Sequence, residues 1–360
     1  MSTSRPKILL ACDRRIRFEY LPPDELKRLE SFADWAWFPC EGGDIYGVNE
    51  DQETATELAQ HVSEIDGLVV CRGAPAITPA IMGRAPSLRI IGEMEGDRFA
   101  SRIELEAAWK RQIRVVDTSN GSSYPTAEWA LALILIALRR AGAQFRRMIA
   151  GKTAPPEKTA RKQMGGTLTA KRVGLIGCGH MGRRLIKLLQ PFEVDIWVYD
   201  PYLPEEFAEA LGFTATSLDN LLSQCGVIVC LVPLTPSTRG MLGKRELDLI
   251  ASGAVLVNVS RGPVINSEAL IERLRRGDIS AGLDVFDPEP IPPDNEILAL
   301  PNVFLSPHIG HITGNEFPRF FGLMVDELHR FFQGHETCFD LTPRTLAARQ
   351  GERPDRSRRG

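Results

Sequence analysis

Three short segments carry side chains suited to moving a hydride and a proton together. They read NVSRG at 258–262, DVFDPEP at 284–290 and SPHIG at 306–310, and they supply Arg261, Glu289 and His308 in chain order. A guanidinium offers a planar fork of N–H donors to a carboxylate and so fixes an organic acid in one orientation. An imidazole titrates near neutrality. A carboxylate beside it stabilises the protonated ring, which can then give its proton to a ketone oxygen. Any one of these residues in a loop is more often structural, so the weight rests on the set. His311 stands three residues after His308, but no Cys or further His joins the pair at ligand spacing, and no metal site is expected.

A second motif lies upstream. Residues 172–182 read RVGLIGCGHMG, which places Gly177, Gly179 and Gly182 as GxGxxG between an apolar run and a helical segment. The first glycine permits a tight turn, the second lets backbone approach a pyrophosphate, and the third lets helix pack on strand. Free N–H groups and the dipole at the helix start favour the anion. Asp200 ends the next apolar run, eighteen residues past Gly182. A carboxylate there accepts hydrogen bonds from the adenosine ribose and repels a 2′-phosphate, which favours NAD over NADP.

These segments need a scaffold that brings them together. Apolar runs at 8–11, 68–70, 89–91 and 115–116 read as strands of a first unit, with amphipathic helices at 51–61 and 102–111 between them. After a Gly/Pro/Lys-rich stretch at 151–166, strands are expected at 172–176, 194–199, 227–232, 254–258, 281–285 and 303–305. Helical segments at 181–189, 217–223 and 267–275 separate them, and Gly277 is a plausible stop. This alternation is the α/β pattern of a parallel sheet. The glycine turn and the three candidate catalytic segments each follow a strand, and in open α/β sheets the C-terminal strand ends face the ligand crevice. A further helix over 124–141 starts with Pro125 in its first turn and contains the ten-residue apolar run 129–138. That run suits a buried helix, since a bilayer takes about 20 residues to span.

With 360 residues the chain is long for one core, and roughly 150 residues per domain suggests two. An apolar fraction of 43% with 25% charged residues is that of an ordinary globular protein and sets disordered and fibrous classes aside. A net charge of −3 gives no field to draw nucleic acid or a membrane surface. The apolar run 8–12 is too short for the core of a signal peptide. Seven cysteines, odd in number and without a CxxC pair, fit packing or surface roles in a reducing cytoplasm. Residues 344–360 turn Arg-rich and read as a solvated tail.

In RVGLIGCGHMG, YDPYLP, VPLTPSTRGML, NVSRGPVIN, GLDVFDPEP and SPHIG the chain closely resembles the D-specific 2-hydroxyacid dehydrogenase family, over about residues 68–334. The resemblance implies two doubly wound parallel-sheet α/β domains. A Rossmann NAD-binding domain at 121–305 would be inserted in a flavodoxin-like substrate domain made of 1–120 and 306–335, leaving 336–360 as a tail. It also implies an NAD-dependent homodimer that interconverts a D-2-hydroxy acid and its 2-keto acid. Carried over position by position, Arg261 matches the substrate-carboxylate arginine, Glu289 the acid that pairs with the histidine, and His308 the acid/base. Asp284 matches the position near the nicotinamide carboxamide. His180, Met181, Pro233, Leu234, Thr235, Thr238, Ser260 and Gly310 fall in the cofactor-lining segments, and Arg72 and Gly96 in the substrate cleft. Glu289 argues against a formate dehydrogenase, which lacks that partner. A phosphoglycerate dehydrogenase of the same family, and an NADH-sensing corepressor-like binding protein, are the alternatives.

One stretch departs from the family pattern. Where a glycine-rich turn usually presents amides to the substrate carboxylate, residues 91–101 read IGEMEGDRFAS. Glu93, Glu95 and Asp97 there would repel a carboxylate unless they turn away or face water, whereas Arg98 could grip a second anionic group.

Overall fold

The computed structural model describes residues 5–43, 47–96, 98–156, 164–203, 206–313 and 319–352. Asp97, residues 157–163 of the Gly/Pro/Lys-rich stretch and residues 353–360 of the Arg-rich end lie outside that range. The chain divides into two compact units, Met1–Ser122 with Thr313–Arg349, and Ser123–Ile312 with Gln350–Gly360.

In the first unit five parallel strands, β1 (Lys7–Cys12), β2 (Asp34–Pro39), β3 (Gly67–Val70), β4 (Ile90–Glu93) and β5 (Arg114–Asp117), follow the order β2-β1-β3-β4-β5. This is the flavodoxin-like doubly wound order. β3 and β4 are buried at every position, as parallel strands covered on both faces must be, which is why β3 reads as an apolar run and β4 does so up to its last residue, the buried Glu93. Strand β2 was not anticipated. Its sequence DWAWFP lies at the sheet edge and exposes alternate residues, so no apolar run marks it. The helix Phe320–Phe332 buries Phe320, Phe321, Met324, Val325 and Leu328 with Ile8, Leu10, Val69 and Ile90 of the strands. A Cβ at Gly92 would stand 2.3 Å from Met324 Sδ, so glycine in β4 is what lets this helix close on the sheet.

The expected tail from 336 is corrected in part. Leu341 is buried in the first unit's core, and a helix Pro343–Gln350 packs Leu346 against it. Thr342 and Thr345 bond each other's backbone N–H at the start of that helix, and Arg349 Nη1 donates to Asp117 Oδ2 at 2.8 Å. The arginines masked these signals because a high charge density at a chain end resembles a solvated segment.

The second unit holds seven parallel strands, β6 (Arg172–Ile176), β7 (Asp195–Tyr199), β8 (Thr214–Ala215), β9 (Val227–Cys230), β10 (Val255–Asn258), β11 (Ser280–Leu283) and β12 (Val303–Leu305). Their order is β12-β11-β10-β9-β6-β7-β8, so the direction of winding reverses between β6 and β9. The crevice at such a reversal is where doubly wound sheets take nucleotides. β8 is an exposed two-residue edge and carries no sequence signal. The helix Ser123–Leu138 packs Ala127, Ala130, Leu133 and Ile134 into a core shared with Val173, Val227, Val255 and Val257. It stops short of the expected Ala141. Arg140 turns into the left-handed region at φ +48°, donates to Gly277 O at 2.8 Å and Ser280 Oγ at 3.0 Å, and a separate helix, Ala141–Ile149, follows. Residues 306–310 lie in this unit, not with the first, because β12 and Asp284 hold them. Among the described residues no helix is long and apolar enough to cross a membrane.

Candidate active site

The glycine turn sits at the end of β6, on the reversal point of the sheet. Gly177 has φ +95°, and a Cβ there would meet Val232 Cγ1 at 2.9 Å. A Cβ at Gly182 would stand 2.8 Å from Gly177 O, so the third glycine allows helix to lie on strand. Gly179 is different: apart from its chain neighbours, nothing among the described residues lies within 4 Å of the place its Cβ would take. Gly179 is also the N-cap of the helix His180–Leu189 and offers no side-chain bond to the first N–H groups. Open space at a helix N-terminus, where the dipole and backbone N–H groups favour an anion, suits a pyrophosphate. His180 and Met181 open this helix, and Met181 packs against the unit's core.

Asp200 follows β7 and accepts from Cys178 N at 2.9 Å and from Tyr202 N at 3.0 Å. These bonds fix the carboxylate beside the glycine turn, and each oxygen keeps a second acceptor direction. Beyond β9, Thr238 Oγ1 donates to Pro233 O at 2.6 Å and accepts from Thr235 N at 2.8 Å, closing the 233–238 turn on itself. After β10, Asn258 Oδ1 accepts from Ser260 N at 3.0 Å and Ser260 Oγ at 2.9 Å, while Asn258 Nδ2 donates to Arg261 O at 3.2 Å. Asn258 thereby fixes the backbone that presents Arg261. The next residue must be glycine, since a Cβ at Gly262 would fall 1.7 Å from Phe286 O.

Asp284 is the anchor of the histidine segment. It is 1% exposed, and its Oδ1 accepts from Ser306 Oγ at 2.5 Å, Ile309 N at 3.0 Å and Trp129 Nε1 at 3.1 Å, while Oδ2 accepts from Gly310 N at 2.8 Å. A Cβ at Gly310 would press on Oδ2 at 2.9 Å. Four donors on one buried carboxylate hold residues 306–310 in a single shape. Within that shape His308 takes φ +53° and its Nδ1 lies 2.6 Å from Glu289 Oε1. Both side chains are about one-third exposed, so the pair stands at the surface of the unit and not inside its core. His311 packs edge-on against His308, with ring centroids 5.6 Å apart. Burial, and secondarily the charge of His308, hold its pKa below the usual histidine value.

Trp129, Ser306 and Asn258 hold these segments in place, a role that the sequence alone does not assign them. Ser306 and Asn258 lie inside the motifs already quoted, whereas Trp129 is hidden in an apolar helix and only its indole N–H distinguishes it.

In the first unit Arg72 Nε lies 3.0 Å from Asp13 Oδ2. Asp13 Oδ1 meanwhile caps the helix Arg14–Glu19 through Ile16 N at 2.7 Å. Of the acidic side chains of the 91–101 stretch, the two described ones, Glu93 and Glu95, do not face water. Glu93 is 1% exposed and pairs with Arg102, which is fully buried, and Glu95 is 6% exposed. Gly96 makes room for this pair, because a Cβ there would stand 2.6 Å from Glu93 Oε1. The sequence leaves open whether these charges turn away or face water, and nothing in it marks Arg102, nine residues on, as the partner of Glu93. Arg98 adopts φ +76°, and its carbonyl accepts from Arg349.

Residues 131–310 match the family model described as the D-isomer specific 2-hydroxyacid dehydrogenase, NAD binding domain. A D-3-phosphoglycerate dehydrogenase of Archaeoglobus fulgidus is 34% identical over 71% of this chain and 47% of its own length. A glyoxylate reductase of Korarchaeum cryptofilum is 33% identical over 77% of this chain and 82% of its own. The crystal structure of a putative D-isomer specific 2-hydroxyacid dehydrogenase from Polaromonas is 27% identical, with a TM-score of 0.65 over 94% of this chain and all of that one. The chain spans about half the length of the phosphoglycerate dehydrogenases it matches. The matched region carries the glycine turn, Arg261, Glu289 and His308, and this chain belongs to the D-isomer-specific 2-hydroxyacid dehydrogenase family, with NAD as its cofactor.

Proposed function

We propose that this protein interconverts a D-2-hydroxy acid and its 2-keto acid, with His308 as the acid/base. The observation that carries the reading is the 2.6 Å contact of His308 Nδ1 with Glu289 Oε1. With Nδ1 committed to the carboxylate, Nε2 is the nitrogen that gives or takes the proton. A bound NADH would supply the hydride to C2 of the keto acid. His308 delivers its Nε2 proton to the developing alkoxide oxygen, so that keto acid, NADH and a proton give hydroxy acid and NAD. Glu289, through that contact, keeps the ring in one tautomer and orientation. Arg261, held by Asn258, binds the substrate carboxylate and sets which face of C2 is presented.

Gly177, Gly179, Gly182 and Asp200 would hold the dinucleotide, with Pro233, Thr238, Ser260 and Gly310 lining it and Asp284 acting through the 306–310 segment. Arg72 and Gly96 belong to the substrate's side. The thiols of all seven cysteines are unpaired and six are buried, as a reducing compartment such as the cytoplasm permits. A homodimer through the nucleotide unit is supported by Leu135, Phe145, Met148 and Ile149, large apolar side chains exposed on the helices Ser123–Leu138 and Ala141–Ile149. The activity is tested by following NADH oxidation with a panel of 2-keto acids and analysing product chirality. A D-hydroxy acid is expected; an L product, or no turnover across the panel, would overturn the proposal.

A further inference from the structure

The phosphoglycerate dehydrogenases among the relatives raise the question of what the substrate carries beyond C2. The C-terminal ends of β1, β3 and β4 gather Asp13, Tyr20, Arg72, Glu93, Glu95 and Arg102 in the first unit. Such strand ends are where a doubly wound sheet meets its ligand. Three guanidiniums face Glu95: Arg15, Arg72 and Arg102. Each already has a carboxylate of its own. Arg15 Nε lies 2.8 Å from Glu19, Arg72 Nε lies 3.0 Å from Asp13 as a charge contact without a hydrogen bond, and Arg102 Nη1 pairs with Glu93. Glu95 is the carboxyl left over. Its Oε1 has only a long contact, 3.5 Å, from Tyr20 O–H, and its buried Oε2 has no hydrogen-bond partner among the described residues.

We propose that Glu95 makes this unit select a 2-keto acid whose distal group carries no charge and discriminate against one bearing a phosphate. The proposal rests on the reading above that this unit takes the keto acid. No cation of the cluster is in surplus to meet a phosphate, and an ionised Glu95 in poorly solvated surroundings repels one. The effect acts through charge, so Glu95 is a specificity residue and not a catalytic one. Its strength depends on pH. Burial pushes the Glu95 carboxyl up to about 7, against the smaller opposing influence of the Tyr20 hydroxyl and of Arg102, Arg15 and Arg72. The other titratable groups at hand, Tyr20 and Cys71, are raised well out of the neutral range by burial. The carboxyl is thus neutral in mild acid and charged in mild base.

The test compares the full-length protein and Glu95→Gln, with NADH and either 3-hydroxypyruvate or its 3-phosphate, from about pH 6 to about pH 8.5. The unmodified protein should favour the hydroxyl substrate in kcat/KM by at least about tenfold near pH 7.5, with the gap widening as pH rises through KM of the phosphate. In Glu95→Gln that widening should disappear and the gap should narrow. The second ionisation of the phosphate itself is common to both proteins and cancels in the comparison. Preference for the phosphorylated substrate, or an unchanged widening in Glu95→Gln, would overturn the proposal alone. Turnover of neither substrate, nor of any other 2-keto acid, would overturn the dehydrogenase reading beneath it. Should Glu95→Gln fail to fold, Glu95→Asp, which keeps the charge and shortens the side chain, takes its place in the comparison, and a preference of the unmodified protein for the phosphorylated substrate still overturns the proposal.

Discussion

Replacing Asp284 by Asn probes the part of the site on which the geometry of His308 depends. An amide has one acceptor oxygen and one donor nitrogen where the carboxylate has two acceptors. In the better of its two orientations the oxygen keeps Ser306, Ile309 and Trp129, and the new NH2 faces Gly310 N–H across 2.8 Å. One charge-assisted bond worth about 1.5–3 kcal/mol is lost, and a buried N–H is stranded at about 1–3 kcal/mol. Removing the buried charge returns part of this, so the net loss should be about 3 kcal/mol. For a unit of this size that lowers Tm by roughly 10 °C. Relief of the clash moves residues 308–310, and a displacement near 1 Å at the proton donor costs about 100-fold in kcat. Thermal unfolding followed by circular dichroism reads the first quantity, and steady-state kinetics the second. NADH affinity should change far less, because the glycine turn has no bond to Asp284. A variant with Tm within about 2 °C and kcat within about twofold of the unmodified protein would refute the anchoring role.

Gly179→Ala and Gly262→Ala should fail in opposite ways. The first has free space for its methyl and should fold normally while weakening NADH binding by about tenfold or more, read by fluorescence titration; the second meets Phe286 O at 1.7 Å and should lose several kcal/mol of stability. Glu95 should also shape stability against pH. The folded protein keeps this proton up to about pH 7, whereas the unfolded chain releases it near its ordinary value of 4.5, so stability falls as pH rises between the two. Urea melts of Glu95→Gln should accordingly lack a loss that in the unmodified protein amounts to about 3 kcal/mol at most by pH 8. Phe145→Glu combined with Ile149→Glu should give a monomer in solution scattering if those exposed side chains meet a second copy, and the unmodified protein should scatter as a dimer.

The sequence carried the chemistry of the second unit more fully than its supports. Gly177, Asp200, Arg261, Glu289 and His308 each follow a strand, and parallel strands buried on both faces announce themselves as apolar runs. Edge strands do not: β2 exposes alternate residues and β8 is two residues long, so neither leaves a run to read. The same limit applies to partners far apart in the chain. Trp129, Ser306 and Gly310 converge on Asp284 from two distant segments, a relation no local spacing encodes. Glu93 and Glu95 are a nearer case, since the sequence leaves open whether they face water or turn away. Only the fold reveals that Arg102 neutralises Glu93 from inside. At the C-terminal end the helix Pro343–Gln350 was obscured by arginines, though the Thr342-Pro343 pair is a recognisable helix start.

The most direct test of the acid/base assignment is turnover by His308→Gln. This substitution keeps a polar side chain of similar reach and removes the titrating ring. Reduction of a competent 2-keto acid by NADH should fall by about 1,000-fold, while the NADH dissociation constant, measured on the same preparation, should stay within about twofold. Turnover within about tenfold of the unmodified protein would contradict the role given to His308 and to its contact with Glu289.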